Sequence, residues 1–597
     1  MLSIYKASAG SGKTFTLTLE YFKIIFEMPA EYRNILAVTF TNKATEEMKS
    51  RIINELYKLA DGQETDYGKI LCHELNMNAT ALQNRAKLLL SLLLHDYGRL
   101  AVTTIDKFFQ RIIKSFIHEL GIFPGYNVEL DNEFVLLKAV DKVMEQIKDN
   151  ADLRNWIYEL LNDSIEEGKS WSVKNKIADL GQELFRENYM LFNQQVLDKF
   201  SDKHFLKAYR KFLDLQIKSF EDELQLTAKQ AVDLIDQNGL NIDSFKKGKS
   251  GCVGWFYKLS AGNFDQPTPT TRKGAEFEDT WIAQKSPDRA NIENILPDLM
   301  SLLQRALAYY DTHSRKYLSA IQLIGNLYQL GILNDLYQEV RSYCNAKGLM
   351  LLSDTTHILN KLISNNDTSF LFEKCGNYYK HIMIDEFQDT SAMQWKNFRP
   401  LIVNSLSENC KAMIVGDVKQ SIYRWRNGEW SLLAYEVEQQ FKNLGIQNVY
   451  LSDNWRSAKE IVEFNNEFFE AASNLLARNY RQEVGEEDER ALVIQEAYKS
   501  LRQTPRKQKC GYVDILYSPE KKEEDSEATI IADVINVIGN IRERGGRLKD
   551  IVILVRNGKE GASIAKKAMD VILGKDRQQE EEKKKRIEIM LLNICLH

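Results

Sequence analysis

At 597 residues the chain exceeds the size of one ordinary domain, so several cores are expected, and only 9 prolines and 30 glycines among Leu-, Lys- and Glu-rich stretches point to a helix-rich protein. A formal net charge of -5 excludes a globally basic polyanion binder, which confines any nucleic-acid site to a local groove. Seven scattered cysteines without zinc spacing read as reduced, buried thiols, and the absence of a leader-like start or a bilayer-length apolar run reads as a cytoplasmic chain with no membrane partner.

In chain order, a short apolar run at Ser3–Tyr5 leads into ASAGSGKT (7–14) and then a helical pattern, the context a phosphate-cradling loop requires. Its small residues let backbone N–H groups turn inward, Lys13 neutralises the β/γ-phosphate charge, and Thr14 ligates magnesium. Further β-type runs at Ile35–Phe40, Ala101–Thr104, His381–Ile384 and Ala412–Val415 alternate with helical stretches, which predicts an α/β core with a mostly parallel sheet. Between about 120 and 350 the alternation stops. The breaker GIFPGY (121–126) introduces long helical patterns that read as an inserted helical domain, with Lys246–Gly274 as an exposed loop.

HIMIDEFQDT (381–390) places Asp385 and Glu386 at the end of an apolar strand, where a magnesium-binding carboxylate and a water-activating base belong. A second α/β region is expected from Val449–Leu451 through a strand at 511–517, a helix near 528–544 and a strand at 550–556. Residues 574–597 carry a charge run and a short apolar tail.

The ordered set ASAGSGKT, ILAVTFTNKAT (35–45), TTIDKFF (103–109), IDEFQDTS, VGDVKQSIYRWR (415–426) and LSDNWRS (451–457) resembles the UvrD/RecB helicase superfamily, with ASAGSGKTFT and NWRS closest to the RecB and AddA type. The resemblance implies an α/β fold: a RecA-like, parallel-sheet phosphate-loop motor lobe (1–120 and 350–445), a large helical insertion (121–349), a partial second RecA-like lobe (446–573) and an atypical charged tail (574–597). It implies an ATP-dependent DNA helicase or translocase, moving 3′ to 5′ in recombinational repair or double-strand-break end processing. Such a motor uses ATP and Mg2+, acts on single-stranded DNA or a duplex end, and works with an AddB- or RecC-like partner subunit.

Residue by residue, the resemblance assigns Lys13, Asp385, Glu386, Gln420 and Arg456 to catalysis; Gln420 senses the γ-phosphate and Arg456 reaches it from the second lobe. Nucleotide contacts fall on Ala7, Ser8, Ala9, Gly10, Ser11, Gly12, Lys13, Thr14 and Phe15, with Trp455 where the family stacks a ring on adenine and Phe15 replacing an Arg that some members use on the opposite face. Thr14 and Asp385 hold the metal. Phe40, Thr41, Asn42, Thr104, Tyr423, Trp425 and Arg426 match the family's single-strand track, where aromatic faces accept any base. Two departures stand near that track: Asp106 replaces a common His, and Asn427 precedes the expected Gly.

GYVDIL (511–516) resembles the opening of the RecB nuclease motif, but its later acidic element does not follow, and a plain strand explains it. Two late helicase motifs, T-x-H-x-x-K-G and A-x-T-R, are not found after Ser457. An alternative therefore stays open: a truncated, catalytically impaired chain that acts only as a nucleotide- and DNA-binding or interaction protein.

Overall fold

The computed structural model describes residues 1–118, 126–158 apart from 130 and 152, 173–190, 199–282 apart from 201, 287–365, 378–485, 492–516 apart from 500, 501 and 509, and 523–575. The chain divides into two compact units, Met1–Ser457 with Asn465–Gln508, and Ala458–Phe464 with Lys509–His597.

The first unit is built on strands β1 (Leu2–Ala7), β2 (Ile35–Thr39), β3 (Val102–Thr104), β4 (Asn127–Glu129), β5 (Leu349–Leu351), β6 (His381–Ile384), β7 (Ala412–Gly416) and β8 (Ile446–Leu451). Six of them form one sheet in the order β3-β2-β6-β7-β1-β8, and every pair is parallel. Parallel strands need helical crossovers, and these cover both faces. Leu36, Val38, Ile382, Ile384 and Ile414 pack with Phe108 and Phe398 on one side. Their chain neighbours Ile35, Ala37, Met383, Met413 and Val415 pack with Phe22, Ile25 and Ile52 on the other. That one-residue alternation, apolar on both faces, is why the strands read as continuous hydrophobic runs.

The expected α/β parallel sheet is therefore present, with strands at each of the five predicted runs in the first lobe. It also takes in β8, which the sequence pattern assigns to the second lobe; Ala7 of β1 lies in register with Leu451 of β8. Because β1 has β7 on one side and β8 on the other, the carboxyl ends of β6, β7 and β1 open side by side, the place where ligands bind in open α/β sheets.

The helical stretch between β4 and β5 begins and ends at one point, because those two strands pair with each other. Its backbone is a helix at Lys203–Gln237 laid along a 59-residue helix at Arg289–Lys347; at 1.5 Å per residue the longer one extends roughly 90 Å. One core surrounds Val140, Trp156, Leu333 and Leu336, and another surrounds Trp255, Phe256, Trp281 and Leu299.

The second core corrects the exposed-loop expectation for Lys246–Gly274. Helices at Cys252–Ser260 and Pro269–Gly274 lie there, and Trp255 and Phe256 are buried. The glycines serve close packing: a Cβ on Gly254 would stand 2.1 Å from the Lys249 carbonyl oxygen, and one on Gly274 2.3 Å from Cys252 Sγ.

In the second unit the expected helix is present at Glu523–Glu543, followed by another at Gly558–Lys575. Residues 511–516 and 551–555 differ from expectation: among the described residues neither segment joins a ladder. Tyr512 is 78% exposed and Leu554 91%. A strand exists only with a partner to take its hydrogen bonds, and apolar composition by itself does not supply one. The thiols differ too. Cys252 and Cys344 are buried, Cys72 and Cys410 half-buried, and Cys510 exposed, while Cys375, Cys595, most of GIFPGY and the tail from 576 lie outside the described residues. No described helix is long and apolar enough to cross a membrane.

Candidate nucleotide-binding site

The loop from Ala7 to Thr14 leaves the carboxyl end of β1 and turns into the helix Lys13–Glu27. Two of its glycines sit in the left-handed region, Gly10 at φ +75° and Gly12 at +87°, where a side chain is strained. Ser8 and Ser11 close the bend: the Ser11 N–H donates to the Ser8 carbonyl at 3.2 Å, and the Ser8 N–H to Ser11 Oγ at 3.3 Å. No side chain caps the helix at Gly12 and its first turn carries no acid. The positive helix end and its first-turn amides are thus left for an anionic ligand.

Lys13 reaches from this turn across two strands. Its Nζ donates to Glu386 Oε2 at 2.7 Å and to Gln420 Oε1 at 3.1 Å. Glu386, at φ +48°, follows Asp385 at the end of β6, and Gln420 follows β7. Behind them the buried Gln388 uses both ends of its amide, donating to Glu386 Oε2 at 2.8 Å and accepting the Asp417 N–H at 2.9 Å. Asp417 in turn accepts from Gln420 Nε2 at 2.8 Å and pairs with Lys419 at 2.9 Å. Four of the five residues assigned to catalysis thus come together on the ends of β1, β6 and β7.

Asp385 is buried, and its Oδ1 accepts the Glu386 N–H at 2.9 Å. Burial, with the Glu386 charge adding to it, pushes its carboxyl up to about 6; Asp389 is pushed up to about 6 for the same reasons. A carboxylate held this far from water gains most from a cation. Asp385 and the Thr14 hydroxyl, the two residues assigned to the metal, are oxygen donors of the kind Mg2+ takes.

Arg456 and Trp455 lie on β9 (Asp453–Ala458), in the same unit as the phosphate loop. The Trp455 N–H donates to the Gly10 carbonyl at 2.9 Å; the residue is 58% exposed, with the Arg506 guanidinium 6.0 Å from the ring centre. Arg456 is exposed, and its Cβ lies 2.9 Å from where a Cβ on Gly10 would be. Phe15 gives one face to Tyr67, with ring centres 4.2 Å apart and planes at 22°. Tyr67 belongs to no helicase motif, and only the fold brings it there.

On the DNA-track residues, Phe40 and Tyr423 have ring centres 4.8 Å apart with planes tilted at 35°, and the Arg426 guanidinium lies 5.8 Å from the Tyr423 ring centre. Thr41 caps the helix Asn42–Ala60, its side chain accepting the Ala44 N–H at 3.1 Å; both Thr41 and Asn42 are exposed. Thr104 is buried and caps the next segment, accepting the Lys107 N–H at 3.3 Å. The Trp425 side chain lies outside the described residues. Burial raises the Asp106 carboxyl, and the Arg426 charge opposes that shift. Gln388 and Asp417 fall within the motifs, yet the motifs alone assign them no role; an amide and a carboxylate standing between two groups assigned to catalysis were the available signal.

A phosphate-loop turn on a parallel sheet, with paired carboxylates and a glutamine on neighbouring strand ends, is the architecture of the RecA-like phosphate-loop class. More narrowly, the chain belongs to the UvrD/REP helicase N-terminal domain family, which matches residues 3–442. It is 25% identical over 498 residues to an ATP-dependent helicase/nuclease subunit of Listeria monocytogenes serotype 4a (strain HCC23), covering 78% of this chain and 37% of that protein. The Clostridium novyi (strain NT) protein of the same name is 25% identical, with 77% and 37% covered, and the Clostridium kluyveri one 24% identical, with 89% and 42% covered. The chain spans about two fifths of the length of these relatives.

Proposed function

We propose that this chain is the ATP-hydrolysing motor of a DNA helicase, moving 3′ to 5′ along single-stranded DNA from a duplex end in break processing or recombinational repair. It works in the cytoplasm beside an AddB- or RecC-like partner subunit. The observation that carries the reading is the convergence of Glu386 and Gln420 on the Lys13 ammonium, at 2.7 and 3.1 Å. Names of the relatives, which couple helicase with ATP dependence, support it.

In this reading Lys13 transfers its donors from Glu386 and Gln420 to the β- and γ-phosphate oxygens of ATP. Glu386 then accepts a proton from the attacking water, with Gln388 still donating to its Oε2, and Gln420 bonds the γ-phosphate. Asp385 and the Thr14 hydroxyl hold Mg2+, which supplies charge neutralisation to the phosphates. Arg456 adds positive charge and Trp455 a stacking face for the base, with Phe15 at its other side. Phe40, Tyr423 and Arg426 supply two ring faces and a cation to the single strand, Thr41, Asn42 and Thr104 line its path, and Trp425 adds a further ring.

Steady-state ATP hydrolysis with and without single-stranded DNA, beside the Glu386→Gln variant, tests the proposal. DNA-stimulated turnover that the variant abolishes is expected. ATP binding with turnover no higher than the variant's would replace it with a non-hydrolysing nucleotide- and DNA-binding protein.

A further inference from the structure

The stretch after β8 is tied to the phosphate loop by amide groups, and one residue that ties it, Gln503, lies outside every helicase motif of the chain. It immediately precedes β10 (Thr504–Lys507), which pairs with β9. Asn454, on β9, is buried. Its Oδ1 accepts the N–H groups of Arg456 at 3.0 Å and Ser457 at 2.9 Å. Its Nδ2 faces the Ala9 carbonyl at 3.1 Å and Gln503 Oε1 at 3.0 Å. Gln503 Nε2 donates to the same Ala9 carbonyl at 2.8 Å. The Gln503 backbone is itself clamped by the buried Asn466 side chain, which accepts its N–H at 2.9 Å and donates to its carbonyl at 2.9 Å.

Two donors on one carbonyl are within its capacity, since it has two lone pairs. Their effect follows from the peptide's geometry. The Ala9–Gly10 peptide is trans and planar, so its carbonyl and the Gly10 N–H point in opposite directions. Pinning the carbonyl on the Asn454–Gln503 side aims the Gly10 N–H away from it, and successive amides turned to one side make the concavity that receives an anion. The neighbouring Gly10 carbonyl is held in the same way by the Trp455 N–H. The contact leaves no slack, because a Cβ on Gly10 would lie 3.0 Å from Asn454 Oδ1.

We propose that Gln503, acting with Asn454, is a positioning residue that presets the phosphate loop for the phosphates of a nucleotide. The pair also sets the distance at which Trp455 and Arg456, its chain neighbours on β9, face that loop. This inference rests on the nucleotide-site reading above.

The test titrates Mg–ADP, which binds without turnover, into the full chain by calorimetry, and measures kcat and KM for ATP. The variants are Gln503→Leu, which removes the amide at similar size, and Gln503→Glu, which keeps the acceptor and loses the donor. Arg502→Ala is the control, since Arg502 pairs with Glu467 and Glu470 beside the latch and not within it. Both Gln503 variants should weaken Mg–ADP by about 3- to 10-fold and raise KM more than they lower kcat, with Arg502→Ala unchanged. Wild-type affinity in Gln503→Glu, or an equal loss in Arg502→Ala, overturns the latch; Gln503→Glu decides alone if the Leu variant does not fold. Failure of the wild-type chain to bind Mg–ADP would overturn the nucleotide-site reading itself.

Discussion

Replacing Gln388 by Leu tests how the Glu386 carboxylate, the base of the proposed mechanism, is held. Gln388 is 1% exposed and bridges Glu386 Oε2 to the Asp417 N–H, so a side chain of similar volume without the amide removes both bonds together. Loss of a hydrogen bond to a charged carboxylate costs about 1.5–3 kcal/mol, and leaving a buried N–H unsatisfied costs about 1–3 kcal/mol, so roughly 2.5–6 kcal/mol of local stability is at stake. The functional consequence is specific. Lys13 still donates to the same Glu386 oxygen, but the carboxylate loses the second donor that fixes its orientation, and displacement of a catalytic group by about 1 Å costs on the order of 100-fold in rate. In an ATPase assay kcat should fall about 10- to 100-fold while KM changes less, because Lys13 and the loop amides remain. A folded Gln388→Leu protein with kcat within twofold of wild type would refute the reasoning.

Gly10→Ala forces a side chain into the left-handed region at a cost of about 1–2 kcal/mol and against Arg456 Cβ at 2.9 Å; KM for ATP should rise at least tenfold, and an unchanged KM would show that β9 yields freely. Asp385 has a folded-state carboxyl raised from 3.8 to about 6, so its contribution to stability is present below pH 4 and is lost as pH rises through 6. Asp385→Asn should therefore flatten the fall of Tm between pH 4 and 7 in nucleotide-free protein and raise Tm at pH 8, while abolishing Mg-dependent hydrolysis; an unaltered pH slope would count against the burial argument. Phe40→Ala should weaken single-stranded DNA binding by about 1–3 kcal/mol without changing its salt dependence, whereas Arg426→Ala should lower the log–log salt slope by about 0.7, both read by fluorescence anisotropy. Equal salt effects from the two would reassign the Phe40–Tyr423 pair to packing.

The turn from Ala7 to Thr14 was legible because its geometry is local. Gly10, Gly12, Lys13 and Thr14 are adjacent, and a strand-to-helix turn is enough to place them. The core strands were legible for a related reason: burial on both faces leaves continuous apolar runs, as at Ile35–Thr39 and His381–Ile384. Lys246–Gly274 misled because glycine has two uses, turning a chain and letting backbones touch, and only the packed neighbours of Gly254 and Gly274 show which applies.

By itself the amino-acid order determined the α/β class, the helicase resemblance and the residue types of the candidate site, since these depend on contiguous motifs and on continuous apolar runs. Tertiary structure decided what pairs across hundreds of residues. It set Lys13 against Glu386 and Gln420, Phe15 against Tyr67, and Gln503 against Ala9, and it placed β8 beside β1. It also withheld ladders from 511–516 and 551–555 among the described residues. The physical reason is the same in each case: hydrogen bonds and ring contacts are pairwise, and a sequence displays one partner at a time.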